Sequence, residues 1–278
     1  MTRARADEGS WLKLYVAAYV VFLYLPIAVI PIFSFNNSIQ AAFPLSGFTL
    51  EWYASLLDNG NLHRAFRNSL IVGVSAAFLA TAIGTTVGYM EVSSGDGVAR
   101  TISALARLPI MIPGVIVGIA LLILVNLAGL GPSRTAIVLG HTLVALPTAV
   151  VIMRSRFQSL PRSYGEAAMD LGAHEWTTFR RIMLPLAAPA IASSFMLSFL
   201  TSFDEFIVAF FLSGTEPTLP LFIWGQLRFP KALPQVMALG AIMLVASIVI
   251  AAAAEIIRRR GAAAGELAIP ASQSLKPA

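Results

Sequence analysis

The sequence is poor in charged residues and contains no cysteine. Of its 278 residues only 12% are Asp, Glu, Lys or Arg, whereas 57% are hydrophobic. Soluble globular chains average about 25% charged residues, and disordered chains are poor in hydrophobic residues. This composition excludes both classes and predicts a protein that is solvated by lipid. The lack of cysteine excludes disulfides, thiolate metal ligands and a cysteine nucleophile.

Sequence signatures of nucleotide-binding and catalytic sites are also missing. No G-x-x-x-x-G-K-[ST] phosphate loop occurs, because none of the three lysines follows a glycine. His174 and Glu175 begin like the zinc-binding H-E-x-x-H motif, but Thr178 stands where the second histidine is needed. The sequence therefore predicts no ATP site, metal or cofactor in this chain. For His141, inside an apolar stretch, a hydrogen-bonded packing role is favoured over a role in a transport pathway.

Long uncharged stretches are the main feature that is present. A bilayer-spanning helix needs about 20 apolar residues, and six stretches reach that length. The predicted spans are approximately residues 12–33, 68–92, 107–128, 134–154, 183–212 and 234–257. The fifth is expected to continue as one helix past Asp204 and Glu205. The sequence thus predicts an all-α polytopic membrane domain over residues 1–260 and a disordered cytoplasmic tail over residues 261–278.

The distribution of Lys and Arg predicts the orientation of these spans. Fourteen of the 19 basic residues lie in the two termini and in the loops after the second and fourth spans. Because short cytoplasmic loops carry an excess of Lys and Arg, both termini are predicted to be cytoplasmic. The net charge of +5 then reflects orientation in the membrane, and no nucleic-acid partner is expected.

The loop between the fourth and fifth spans has the pattern of a helix, a glycine and a second helix. Pro161 suits the start of a helix, and Gly172 suits a left-handed position that ends one. An apolar stripe is predicted along the first helix, formed by Tyr164, Ala167, Ala168 and Leu171. Trp176, Phe179 and Met183 share a face of the second helix. The residues alone allow two interpretations, a helix resting on lipid or one docked into a partner protein.

Seven positions of this loop match a spaced motif, E-A-A-x3-G-x9-I-x-L-P. They are Glu166, Ala167, Ala168, Gly172, Ile182, Leu184 and Pro185. With this motif between the fourth and fifth of six spans, the chain resembles the permease subunits of ATP-binding-cassette importers.

The resemblance implies a division of labour among several subunits. The loop would be a coupling helix, seated on a cytoplasmic ATPase dimer that binds Mg-ATP, and this chain would not itself be an enzyme. A second permease subunit, homologous but not identical, would complete the pathway, and an extracytoplasmic solute-binding protein would deliver the substrate. The expected location is a bacterial inner membrane.

Polar residues of the fifth span predict a substrate path. Hydroxyls and a carboxylate recur at i, i+4, i+7 and i+11 on one helix face, at Ser194, Ser198, Thr201 and Glu205. A carboxylate in the hydrocarbon region costs about 2.5–3.5 kcal/mol, so Asp204 and Glu205 suit a water-filled path for a cation. Glu205 lies on the predicted stripe and Asp204 lies off it. The alternative interpretation is that the pair marks the outer membrane interface.

Three further segments resemble the spermidine/putrescine branch of this family: Ser202–Phe206, Leu219–Leu221 and Gly47–Tyr53. The resemblance implies a polyamine substrate. Branches that move opines, aminoethylphosphonate or iron share parts of these segments and remain alternatives. A stand-alone secondary transporter would leave the loop motif unexplained. Trp52 and Tyr53 are interpreted as headgroup anchors in preference to substrate contacts.

Two G-x-x-x-G pairs allow close approach of helices. They are Gly84 with Gly88, and Gly114 with Gly118. Packing within the chain is favoured for both pairs, and an interface with a partner subunit is the alternative.

Overall fold

The computed structural model describes the backbone of residues 4–266 and the side chains of residues 11–260. Within this part of the chain all regular structure is helical, apart from one isolated β-bridge between Asn36 and Phe48. The first six α-helices are α1 (Ala4–Ser34), α2 (Glu51–Leu57), α3 (Gly60–Ser93), α4 (Gly97–Arg107), α5 (Gly114–Leu127) and α6 (Arg134–Ser159). The next seven are α7 (Ser163–Asp170), α8 (Glu175–Thr178), α9 (Leu184–Leu186), α10 (Ala188–Phe203), α11 (Ile207–Leu212), α12 (Leu219–Gln226) and α13 (Leu233–Glu266).

Four helical segments are long and apolar enough to cross a bilayer: Trp11–Ser34, Gly60–Ser93, Arg134–Ser159 and Pro230–Arg260. Two bent pairs raise the number to six if each pair counts as one span. Gly97–Met111 meets Gly114–Leu127 at 112°, and Glu175–Leu186 meets Ala188–Phe203 at 72°. The described chain is therefore an all-helical membrane protein with four to six spans.

Two of the predicted spans differ from the observed helices. Residues 107–128 do not form one straight helix, because a 3-10 turn and Pro113 separate Arg107 from α5. The predicted helix over residues 183–212 is interrupted twice, after Leu186 and at residues 204–206. Helix α13 extends to Glu266, into the predicted tail, and residues 267–278 lie outside the described part.

Local capping explains where several helices begin. The side chain of Asp96 accepts a hydrogen bond from the Ala99 amide at 2.7 Å and starts α4. Ser133 does the same for Ala136 at 3.3 Å and starts α6. Such caps satisfy amides that have no helical acceptor. Gly129 and Gly131 have φ values of +74° and +62°, which permit the short turn between α5 and α6.

The chain forms two compact units. Of the described residues, the smaller unit contains those from Ala4 to Leu62 together with Ile223–Ala246, and the larger contains His63–Phe222 and those from Ser247 to Glu266. In the larger unit, one buried cluster joins α5, α6 and α11 through residues such as Val117, Ile137 and Leu212. A second cluster lies between the end of α6 and the start of α10, through Met153, Phe157, Leu160, Ala187 and Ala190.

Candidate coupling loop and substrate path

The predicted helix, glycine and helix pattern is present in the loop after α6. Helix α7 ends in a Schellman motif, in which the Gly172 amide donates to Met169 O at 2.9 Å and the Ala173 amide donates to Ala168 O at 2.9 Å. Gly172 has a φ of +82°, and a Cβ built there would meet no atom within 4 Å. The glycine is therefore required by its backbone conformation and not by crowding.

The outer surface of this loop carries large apolar side chains, two of which, Met169 and Trp176, lie outside the predicted stripe. Leu171 is 90% exposed, Trp176 67% and Met169 54%, and the exposed Glu166 and Ala167 lie beside them. Of the predicted stripe, Ala168 is buried whereas Leu171 faces outward. Leu171 is the C-cap of α7 and Ala167 is exposed as well, so the four residues of the predicted stripe do not share one buried face.

A row of aromatic rings runs from the exposed Trp176 to the helices behind the loop. The ring centroids are 5.6 Å apart for Trp176 and Phe179, 4.6 Å for Phe179 and Tyr89, and 5.4 Å for Tyr89 and Phe157. The row connects α8 to α3 and α6. Beside it lies a cavity of about 540 Å³ that is lined in part by Tyr89, Glu166 and Thr178.

The last three motif positions lie where the loop turns into α10. Ile182 belongs to a π-helical segment, Phe179–Met183, and Leu184 and Pro185 form the start of α9. Leu184 and Pro185 also line an apolar groove of about 830 Å³ between α3 and α10. The motif is therefore split between an outward surface around Glu166 and the bend that precedes α10.

The hydroxyls predicted to line the path are mostly buried within the chain. Ser194 and Ser198 are fully buried, and the Ser194 hydroxyl lies 3.5 Å from that of Thr81 on α3. Thr201 is half-buried and donates to Leu197 O at 2.9 Å. The face that holds Ser194 and Ser198 packs against neighbouring helices of the same chain.

The acidic pair occupies a break between two helices. Helix α10 ends at Phe203, and Asp204 is its exposed C-cap. Glu205 is half-buried, and its Oε1 accepts the Val208 amide at 3.0 Å at the start of α11. The prediction of one helix through both residues is wrong, because this side-chain acceptor competes with continuation of the helix. Glu205 consequently does not continue the line of Ser194 and Ser198.

His141 and the G-x-x-x-G pairs are packed inside the chain. His141 is fully buried, and its Nδ1 lies 2.8 Å from the hydroxyl of Ser202. A Cβ at Gly84 would lie 2.7 Å from Ala149 Cβ, and one at Gly88 would lie 2.8 Å from the Arg154 amide.

Gly114 and Gly118 likewise face Ile207 and Phe211 of the same chain. The favoured interpretation, packing inside the chain, is therefore supported for all four glycines.

The aromatic pair in the first long loop is bonded within the smaller unit. Trp52 donates from Nε1 to Asn36 O at 2.8 Å, and the Tyr53 hydroxyl lies 2.6 Å from that of Ser34. These contacts stabilise the loop between α1 and α2.

Three contacts of charged side chains beside the candidate coupling loop were not predicted from the sequence. Glu91 at the end of α3 accepts a hydrogen bond from Arg154 Nε at 2.7 Å and another from the Ser103 hydroxyl on α4. Arg156 donates to the carbonyl of Leu186. In the sequence, Arg154 and Arg156 indicate only the orientation of the spans. The spacing of Arg154 and Arg156, two residues apart on a helix, was the signal that they face different neighbours.

The features described so far define the class of protein. Apolar helices of spanning length, close crossings at glycines and a helix-glycine-helix loop are the features of an all-helical membrane protein. Among the described residues, no group of three or more His, Asp or Glu is arranged to hold a metal.

Comparison with known families identifies the kind of membrane protein. The family described as "Binding-protein-dependent transport system inner membrane component" matches residues 80–263. The chain belongs to this family, the membrane permease subunits of ATP-binding-cassette importers.

Relatives with assigned names include two polyamine permeases of Escherichia coli strain K12. The spermidine/putrescine transport system permease protein PotC is 34% identical over 88% of this chain and 92% of its own length. The putrescine transport system permease protein PotI is 33% identical over 85% of this chain and 86% of its own length.

A solved structure shares the fold at low identity. A bacterial ABC transporter involved in the import of the acidic polysaccharide alginate matches with a TM-score of 0.70 and 17% identity, over 93% of this chain and 98% of that one.

Proposed function

We propose that this chain translocates polyamines, such as spermidine and putrescine, across a bacterial inner membrane. The observation that carries the proposal is the similarity, over most of the chain, to two permeases named for these substrates. The fold does not decide the matter, because a similar one occurs in a transporter of an acidic polysaccharide. An exposed carboxylate at Asp204 is chemically suited to an organic cation.

The six-span arrangement, with both termini in the cytoplasm, is part of this proposal. It counts each bent helix pair as one span and rests on the excess of Lys and Arg in one set of loops. The loop over α7 and α8 then lies on the cytoplasmic side. Residues 1–260 form one permease domain in this arrangement.

The outward surface of α7 and α8 is proposed as the contact with the ATPase. Its exposed Leu171 and Trp176 are unlike an ordinary water-facing loop, because large apolar side chains grouped there favour a protein partner. Glu166, Ala167 and Gly172 belong to this surface, whereas Ala168, Ile182, Leu184 and Pro185 lie inside it or at its bend. Mg-ATP is bound and hydrolysed by the partner, and this chain contributes no catalytic group.

The remaining partners follow from the mode of transport. A homologous, non-identical second permease completes the pathway, and an extracytoplasmic solute-binding protein delivers the substrate. Within this chain the path is proposed to run past Thr201, Asp204 and Glu205. Ser194 and Ser198 support the same helix from its packed side. The non-helical backbone at residues 204–206 is consistent with this, since irregular backbone at membrane depth is tolerated where it lines a cavity.

Uptake into proteoliposomes tests the proposal. The chain would be purified with its co-encoded ATPase, second permease and binding protein, and reconstituted with ATP on the nucleotide-binding side. Labelled putrescine and spermidine are expected to accumulate only with ATP and binding protein. Excess unlabelled polyamine should compete, whereas aminoethylphosphonate, an opine or an iron chelate should not. Transport of one of these solutes in place of polyamine would contradict the substrate assignment, and accumulation without ATPase would favour a secondary transporter.

A further inference from the structure

Arg156, in the last turns of α6, makes two hydrogen bonds to one backbone carbonyl. Its Nε and NH2 groups donate to Leu186 O at 3.2 and 2.6 Å. The arginine is half-buried, so water competes with these bonds less than at an open surface. Charge-assisted bonds of this kind are about twice as strong as neutral ones.

The accepting carbonyl lies at the bend between the coupling loop and α10. Leu186 is the last residue of α9, and the carbonyls at the end of a helix lack helical donors. The chain turns there by 72°, with Pro185 and Pro189 on either side. At the bend the Leu186 carbonyl has no helical donor, and Arg156 supplies the missing hydrogen bonds. Arg156 therefore stabilises the bent geometry.

Two residues earlier, Arg154 connects α6 to a different neighbour. It is bonded to Glu91, whose side chain is only 9% exposed and also accepts from Ser103. Arg107 on α4 lies 3.8 Å from the same carboxylate. Residues i and i+2 of a helix point to nearly opposite sides. The end of α6 is thus held to the corner of α3 and α4 on one side and to the bend before α10 on the other.

We propose that Arg156 is a positioning residue for energy coupling, because it sets the angle at which the coupling loop enters α10. A displacement of α7 and α8 is then passed to α10 and α6 as one body, towards the break at Asp204. Without Arg156 the bend acts as a loose hinge that absorbs the displacement. This inference rests on the proposed coupling role of the loop.

The first test compares Arg156→Gln and Arg156→Lys in the complete complex. Gln removes the charge and the two-nitrogen fork but keeps an uncharged NH2 donor, whereas Lys keeps the charge on a single donor nitrogen. The Gln complex is expected to assemble and retain basal ATPase activity, with stimulation by loaded binding protein and solute uptake reduced at least about tenfold. Lys should be intermediate. Arg100→Gln, which removes an exposed charge from α4, is the matched control and should behave like the parent.

A second measurement reports the bend itself. Since the chain has no cysteine, Ser155→Cys on α6 and His174→Cys beside α8 are its only thiols, and they are spin-labelled in a complex whose other subunits have had their cysteines replaced. In the parent, the distribution of distances between the two spin labels is expected to be narrow and to shift when ATP binds. In Arg156→Gln it is expected to be broad and not to change with ATP. If the Gln variant does not assemble, the Lys complex becomes the test of the inference, with the same measurements of ATPase stimulation, uptake and label distance.

Parent-like stimulation and distances in the decisive variant would overturn the inference. A parent complex that is stimulated by its binding protein but takes up no polyamine would overturn only the proposed substrate. These two failures are distinguishable, because ATPase stimulation is measured separately from the identity of the solute.

Discussion

Gly172 has a backbone conformation that a β-branched residue adopts only with strain. Its φ is +82°, and no atom lies within 4 Å of a Cβ built there. Gly172→Val is therefore expected to destabilise this backbone conformation by about 1–2 kcal/mol without any steric clash. The strain should displace the end of α7 and uncouple ATP hydrolysis from uptake, while the protein still inserts. Assembly, ATPase stimulation and labelled uptake in the co-expressed complex measure this effect.

Asparagine provides the matched control, because it tolerates the left-handed region better than valine. Gly172→Asn should retain most of the uptake lost in Gly172→Val. Equal, normal uptake in both variants would remove the coupling role assigned to this position.

The two neighbouring carboxylates differ in what their side chains do. Asp204 is exposed, whereas Glu205 accepts the Val208 amide. If Asp204 attracts an ammonium group with about 1.5–3 kcal/mol, Asp204→Asn should weaken polyamine uptake by about 10- to 150-fold. Glu205→Gln should have the smaller effect, because it is less exposed and its amide oxygen still caps α11. Uptake at equal membrane levels compares the two.

A Glu205→Ala variant separates the role of Glu205 as a cap of α11 from the role of its negative charge. It removes the acceptor as well as the carboxylate, and loss of a cap costs about 1 kcal/mol, so its thermal stability in detergent should fall below that of Glu205→Gln. Polyamine uptake at the parental level in both Asp204→Asn and Glu205→Gln would mean that the pair only marks the membrane interface.

At the scale of elements, the crossing of α3 and α6 depends on two glycines. A Cβ at Gly84 would lie 2.7 Å from Ala149 Cβ and 2.9 Å from its backbone carbonyl carbon. Because backbone cannot move aside as a flexible side chain can, Gly84→Val is expected to lower the free energy of unfolding by about 1–3 kcal/mol. Thermal unfolding of the detergent-solubilised complex measures the loss.

Gly97 is the control for this substitution. It begins α4, has no neighbour within 4 Å of a built Cβ and has no left-handed φ. Gly97→Ala should therefore leave the unfolding temperature close to that of the parent. A Gly84→Val protein as stable as Gly97→Ala would mean that α3 and α6 do not cross closely at this point.

At the scale of the whole molecule, the proposed orientation is open to cysteine labelling. Ser94, Gln158 and Thr215 are exposed, and a cysteine at any of them is the sole thiol. A membrane-impermeant maleimide on intact spheroplasts is expected to label Thr215→Cys, and to label Ser94→Cys and Gln158→Cys only after permeabilisation. Labelling of all three from one side would contradict the six-span arrangement.

The sequence by itself determined the class of protein, its helical content and the family. Hydropathy is a property of the local chain, and a run of uncharged residues is apolar in any fold. The left-handed Gly172 was equally predictable, since a glycine after a helical pattern is a local signal. The coupling motif needed no tertiary information, because its spacing is written along one segment.

Only the tertiary structure decided which helix faces are covered and where helices break. Ser194 and Ser198 formed a polar stripe in sequence, yet α3 and α6 pack over that side. At Glu205, capping of α11 competed with a continuous helix, and both outcomes are compatible with the same residues. Arg156 donates to a carbonyl 30 residues away. Such choices depend on contacts between distant segments, which the periodicity of one helix does not contain.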